Sequence, residues 1–369
     1  MLRWSFKSLF SQKGSLIGSV LGIASAFVLV IFFDAVWRGE SVQIIAYPKN
    51  VKPDVWVMQN GVGNMHMAMS FVWDWKADKI KEMPGVKNVT PILYLNNVIT
   101  AGDHEMFAFI VGLLSDYKRA GPWELSSGRN INNKGEIVVP DIFTKLAGVG
   151  IGDDVFITNR KFTIVGFSKG TYSSANAILF ITFSDLEHIM SSFGTYSYLL
   201  VDTEEGVNEK LVANNIINEI DKVNALTHEK FIKNDYAMAK QMGVEIIVMM
   251  TSICTVLAAL IVGFTSYSLV ISKKRELSII KALGMNKIPI IYSVVLQSGF
   301  VTFMGFLLAG LISLILIPFV PIIVPQLTVI ISFNSILNLA IISLIVAIIG
   351  ALIPAYLVLR LDPATAFNI

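Results

Sequence analysis

The chain has 369 residues, of which 54% are hydrophobic and only 15% charged, and its mean hydropathy is +0.65. Soluble proteins carry about 25% charged residues, so this balance argues against a purely cytosolic enzyme, and the apolar content excludes disorder over most of the chain. The net charge of +2 supplies no basic field for nucleic acid, and the single cysteine, Cys254, excludes an intrachain disulfide framework and a Cys-based zinc site.

In chain order, residues 1–13 place Leu2, Phe6, Leu9 and Phe10 on one helical face with Arg3 and Lys7 elsewhere, which predicts an interfacial amphipathic helix. Residues 14–36 follow as a first membrane span, uncharged and apolar from Ser15 to Phe33. A bilayer core of about 30 Å needs about 20 such residues. The apolar run exceeds a signal-peptide h-region of about 7–15 residues and no A-x-A-like site follows it, so an uncleaved anchor is expected.

Residues 37–242 have ordinary polarity and predict a mixed α/β domain. Strands are expected at Pro53–Met58, Ile92–Thr100, Phe107–Gly112, Gly135–Pro140 and Tyr196–Val201 from their β-branched and aromatic content. A hairpin joins Val155–Thr158 to Phe162–Phe167 across Asn159-Arg160-Lys161. Short helices are expected at Asp141–Ala147 and Ser184–Phe193. A longer one over Glu204–Ile220 carries Val207, Leu211, Ile216 and Ile220 at helical spacing. Tyr236–Met242 continues as a stalk into a second span at 243–271. A cytoplasmic segment, 272–287, follows, then spans at 288–319 and 336–359 and a tail at 360–369. No Asp, Glu, Lys or Arg occurs from Ile288 to Leu359. Such long apolar runs are read as helices rather than as an outer-membrane barrel. Arg3, Lys7 and Lys13, then Lys273, Lys274, Arg275, Lys281 and Lys287, then Arg360 put three segments on the inner side. The expectation is a multi-pass inner-membrane protein with both termini cytoplasmic and the α/β domain outside.

No residue pattern suggests catalysis. The four histidines are scattered, and H-E-x-x-H, G-x-S-x-G and G-x-x-x-x-G-K-[ST] are all missing. Any ATP used is therefore expected on another chain. Gly14, Gly18, Gly22 and Ala26 recur every four residues, a spacing that permits close helix approach, either across a dimer seam or inside one subunit. Asp34 and Glu245 stand at the outer ends of the first and second spans, where they are either simply solvated or form a polar entrance for an amphiphile. Met65, His66 and Met67, with Met58 and Met69 nearby, offer soft ligands for Cu(I) or haem iron, or else an adaptable apolar surface; no metal site is assigned.

Between the second and third spans, Leu277, Ile280 and Leu283 fall on one helical face, with Ile279 widening it and Lys274, Glu276, Ser278 and Lys281 elsewhere; Gly284 is the stop. Such a helix can insert an apolar ridge into a groove on a partner, with its charges fixing register, or lie on anionic lipid.

The stretch Ser272–Met285, with Lys273-Lys274-Arg275-Glu276-Leu277 and Lys281-Ala282-Leu283-Gly284, resembles the coupling segment of MacB/FtsX-like ABC transporter permeases. Pro354-Ala355 followed by Arg360-Leu361-Asp362-Pro363-Ala364-Thr365-Ala366 resembles the family's closing pattern. Gly128-Arg129, Gly135–Val139, Gly152-Asp153 and Phe162–Phe167 resemble the core of its outer domain. Span order and domain size look most like the shorter DevC and HrtB types. The resemblance implies a permease subunit of an exporter moving an amphiphile (haem, glycolipid, lipoprotein or drug). It implies a homodimer with the first and second spans at its seam and a separate ABC ATPase carrying ATP and Mg and contacting Lys274–Gly284, with a periplasmic adaptor as an optional further partner. In HrtB-like relatives it implies haem entering laterally at the level of Asp34 and Glu245. An FtsX-like transmitter that regulates an outer hydrolase, and an anchored sensor without any ATPase, are the alternatives.

Overall fold

The computed structural model describes residues 9–10, 13–66, 69–115, 119–173, 177–239, 245–283 and 285–359. The predicted N-terminal amphipathic helix (Leu9 and Phe10 apart), Met67, Gly284 and the 360–369 tail lie outside the described residues.

The first long helix, α1, spans Lys13–Ile44. It runs past the predicted end at residue 36, because nothing from Asp34 to Gln43 breaks a helix: Asp34 pairs with Arg38 one turn on. A short helix α2 (Ala46–Val51) ends on Lys52 in the left-handed region, and strand β1 (Val55–Gln59) follows. Then come β2 (Val72–Trp73), α3 (Asp74–Lys81), β3 (Val86–Ala101), β4 (His104–Leu113), β5 (Leu125–Gly128), β6 (Glu136–Pro140) and α4 (Phe143–Leu146). The chain continues through β7 (Asp154–Ile157), β8 (Arg160–Ser168), β9 (Ala177–Thr182), α5 (Phe183–Met190), β10 (Thr195–Tyr196), β11 (Tyr198–Thr203), α6 (Glu209–Glu219), β12 (Val223–Thr227) and α7 (His228–Ala239). The helical part resumes with α8 (Glu245–Ser272), α9 (Lys274–Ala282) and α10 (Lys287–Leu316). A 3₁₀ turn (Ile317–Phe319), α11 (Val320–Ile323) and α12 (Phe333–Leu359) complete it.

Two compact units result: a helical unit of residues 1–38, 246–322 and 329–369, and an α/β unit of residues 39–245 and 323–328. In the α/β unit one sheet runs β12-β1-β11-β3-β4-β9-β6-β8-β5, with β7 bridging β3 and β8. Alternating side chains face opposite sides. Trp56, Met58, Tyr94, Phe109, Tyr198 and Phe231 share one core, with Trp56 stacked on Phe231. Val55, Val57, Leu199 and Val201 meet α3 and α6 on the other side, and Leu93, Ile110, Ile137 and Leu179 form a third core with α4 and α5. Gly128 and Gly166 are required where β5 meets β8. Gly128 has φ +77°, and a Cβ on Gly166 would fall on the carbonyl oxygen of Arg129.

Two expectations need correction. The β7–β8 turn is Thr158-Asn159, with Thr158 at φ +56°, so Arg160 and Lys161 belong to the strand. Helix α6 begins at Glu209, where the Asn208 side chain accepts the Lys210 N–H at 2.9 Å. Val207 and Leu211 are therefore exposed, and the buried face is Val212, Ala213 and Ile216. The third long helix runs on as a helical stretch to Ile323. The proposed stalk joining Tyr236 to the second span crosses residues 240–244, outside the described residues. Among the described residues three helices, Lys13–Ile44, Glu245–Ser272 and Ile288–Ile323, have the length and hydropathy to cross a membrane; the apolar stretch of α12 described by the same criterion is shorter, Ile336–Gly350.

Candidate functional site

The segment between α8 and α9 turns on a single residue. Lys273 (φ −110°, ψ 12°) ends α8 and opens α9, with its N–H on the Val270 carbonyl and its own carbonyl receiving the Leu277 N–H. Helix α9 is short and amphipathic, and its apolar residues divide between two faces. Leu277 is 3% exposed and packs with Val270 of α8 and with Ile290 and Val294 of α10, joined by Ile280. Ser278 and Lys273 are also buried. Burial lowers the Lys273 ammonium's affinity for its proton, partly opposed by Glu276. The expected single ridge of Leu277, Ile280 and Leu283 is thus corrected: Leu283 is 82% exposed and Ile279 41%. The physical reason is that the flanking long helices cover the first two before any partner can. Facing outward instead are Arg275, Glu276, Ile279 and Leu283, at i, i+1, i+4 and i+8, with Lys274 also exposed and Lys281 half-buried.

The small-residue stripe on α1 also divides. Among the described residues no atom lies within 4 Å of a Cβ built on Gly14 or Gly18, Gly22 approaches Ile261 of α8 at 4.0 Å, and Ala26 is buried among Ile23, Phe27 and Val262. Asp34 is ion-paired with Arg38 at 3.0 Å, and Glu245 is exposed at the start of α8.

Within the methionine-histidine stretch, Met65 and His66 are packed into the α/β unit, while Met69 is exposed. Asp235 of α7 is fully buried; its Oδ1 accepts the Met65 N–H at 2.8 Å and lies 2.8 Å from His66 Nδ1. Met65 is buried in the core with Tyr47 and Trp56, and His66 meets Phe109 edge to face. Asp235 Oδ2 and the Tyr94 hydroxyl have no hydrogen-bond partner among the described residues. Both border a cavity of about 10 Å³, room for a single water. Burial, then Tyr198 and Asp235, push the Tyr94 hydroxyl well above its ordinary pKa. No group of three or more His, Cys, Asp or Glu able to hold a metal occurs among the described residues.

Sequence reasoning missed Asp235 and Glu40. Glu40 is buried on α1 and accepts the Thr328 N–H at 2.9 Å, inside the same compact unit. A lone acid on an otherwise polar helix, or an acid at the end of a span, carries no pattern that would single it out. It had also left Glu136 and Arg129 unassigned beyond their family motif. The Glu136 carboxylate takes a bidentate Arg129 guanidinium (2.6 and 2.8 Å) and the N–H groups of Asn132 and Asn133. The Arg129 bonds first, then those backbone and side-chain donors, hold Glu136 far below the usual carboxylate range.

A family model described as the MacB-like periplasmic core domain matches residues 14–219, and one described as the FtsX-like permease C-terminal matches residues 248–363. The chain is 21% identical over 360 residues to an uncharacterized ABC transporter permease of Mycobacterium tuberculosis, covering 97% of this chain and 96% of that one. It is 22% identical over 344 residues to a Staphylococcus epidermidis protein named hemin transport system permease protein HrtB, covering 92% of each. Among solved structures, the periplasmic region of MacB from Actinobacillus actinomycetemcomitans aligns with a TM-score of 0.40 and 13% identity, over 52% of this chain and 96% of that one. With the core-domain match covering more than half of the sequence and the permease match following it in order, the chain belongs to the MacB/FtsX-like family of ABC transporter permeases.

Proposed function

We propose that this permease works as the membrane subunit of an exporter driven by a separate ABC ATPase, and that α9 is where the ATPase pushes. The observation that supports it best is the division of α9. Leu277 and Ile280 fix the helix to the ends of α8 and α10, while Ile279 and Leu283, flanked by Lys274, Arg275 and Glu276, stay uncovered. A rigidly held helix with an apolar, charged outer face suits a groove on a partner, and its charges set the register. On this reading the chain holds no catalytic residue, and ATP and Mg bind the partner. Lys274, Arg275, Glu276, Leu277, Ile280, Lys281, Leu283 and Gly284 form the coupling element. Four spans, both termini inside and an outer α/β domain make up the topology, and Gly14 and Gly18, open on α1, join two copies.

We assign the cargo to amphiphiles, with haem the first to test because of the relative named for hemin transport. Asp34 and Glu245 are the proposed polar entrance. The test is co-expression with candidate ATPases from the same genome. Leu283→Asp and Glu276→Lys should abolish co-purification and ATP-dependent export while the chain still reaches the membrane. Unchanged co-purification by both variants would refute the coupling role.

A further inference from the structure

The sheet of the α/β unit has two edges, and they are finished differently. The β5 edge is four residues long and has a register shift between Leu125 and Ser127, which disrupts its ladder. The β12 edge is regular. It pairs antiparallel with β1 without a shift, from Val55 opposite Thr227 to Gln59 opposite Val223, and among the described residues it has no other neighbour. Its flanking bonds run from the His228 N–H to Asp54 and from the Asn60 N–H to Lys222. Bonded pairs alternate along an antiparallel ladder, so residues 224 and 226 bond inward, and Val223 and Ala225 turn their N–H and C=O to the open side. Their side chains do not obstruct that side, because both are buried against α6.

Beside this edge lies a groove of about 630 Å³ between α6 and α7, bordered by Lys210, Asn214 and Ile217 on one wall and by Lys230, Lys233 and Asn234 on the other. Among the described residues Glu229 is the one acid on its rim. None of the three lysines is in an ion pair among the described residues. We propose that this groove docks an extended, acidic segment of a partner protein, which adds to β12 as a further strand.

The backbone groups select an extended chain, and the lysines select its side chains. A second copy joined β12 to β12 would bring the same lysines face to face, a repulsive arrangement. The segment would run antiparallel or parallel to β12 over about 17 Å, with acidic side chains on the α7 wall, toward Lys230 and Lys233, and small or apolar ones on the α6 wall, over Ile217. The proposal does not depend on α9 or on the ATPase.

The test uses the full chain in lipid nanodiscs and a labelled octapeptide alternating Val and Glu. Expected are saturable binding, protection of the Val223 and Ala225 amides from hydrogen exchange, and a weakening of about tenfold or more in Lys230→Glu/Lys233→Glu, whose positions are exposed and so tolerate the change. The same peptide N-methylated on every backbone amide should not bind, because both of its bonding edges are then lost. Equal binding of the methylated peptide would overturn strand addition and leave only charge attraction. No binding at about 1 mM peptide would overturn the site altogether. Protection of Ala225 by self-association without peptide would assign the edge to a second copy and refute the partner segment.

Discussion

The core of the α/β unit and the α9 segment use apolar residues in opposite ways. In the core every large side chain near Trp56 is covered by its own chain, and even the polar groups are drawn in, with Asp235 held by Met65 and His66. In α9, a helix of nine residues, Leu277 is covered and Leu283, six positions on, is not. A short helix between two long ones has too little neighbouring surface to bury both faces. The difference separates residues that specify a fold from residues left over for a partner, and it can be attacked from either side.

The largest effect is expected in the core. Asp235→Ala removes the acceptor of the Met65 N–H and the partner of buried His66, and should destabilise the α/β unit by about 2–4 kcal/mol, read as a lower unfolding midpoint by Trp fluorescence. A cost within about 0.5 kcal/mol would mean that the buried pair does not hold the loop to α7. Next is Leu277→Ala, expected to cost about 2–3 kcal/mol because it opens a cavity among Val270, Ile290 and Val294. The contrasting Leu283→Ala should change stability by less than about 0.5 kcal/mol yet reduce ATPase co-purification. If the two leucines behaved alike, the division of α9 would be wrong.

The third effect is a pH dependence. Trp56 Nε1 donates to Nδ1 of His228 at 3.3 Å, which requires that nitrogen unprotonated. Burial, with Lys52 adding to it, lowers the His228 pKa below its ordinary value. The folded state therefore binds this proton less readily than the unfolded one. The stability it contributes is complete above the unfolded value of about 6.5 and is lost as pH falls through the lower folded value. His228→Gln should remove that slope between about pH 7 and 5 in thermal melts. The smallest effect is expected at Glu136. Glu136→Gln should lower the melting temperature by about 2–4 °C at neutral pH. Glu136 has a depressed folded pKa, so its contribution is present above the unfolded carboxylate value of about 4.3 and fades as pH falls below it.

Much of this architecture was legible because it is written in local pattern. The long uncharged runs, the β-branched stretches of β1, β3, β4 and β6 and the alternation around β7 and β8 each carry their own period. Elements that depend on distant partners were not legible. Strand β9, Ala177–Thr182, is buried on both faces and so shows no alternation, and α3 is mostly charged, with only Lys76, Ala77 and Ile80 inside. Strand β12 is five residues of mixed character that become a strand only against β1. The same limit applied to the site. The helical spacing in α9 was readable, but which of its leucines is covered depends on Val270, Ile290 and Val294. The His66–Asp235 pair joins residues 169 positions apart. The Gly128-Arg129 and Gly135-Glu136 motif was visible as a motif, and only the fold shows Glu136 binding that loop closed.

The claim that α9 receives force from another polypeptide is tested most directly by its most exposed leucine. Replacing the single native cysteine, Cys254→Ser, and introducing Leu283→Cys gives one thiol for cross-linking in membranes that co-express the ATPase. Expected is a cross-link to the ATPase that is modulated by ATP, with no reaction toward an impermeant maleimide added from outside. Labelling of Leu283→Cys by that outside reagent, with no ATPase adduct, would contradict it.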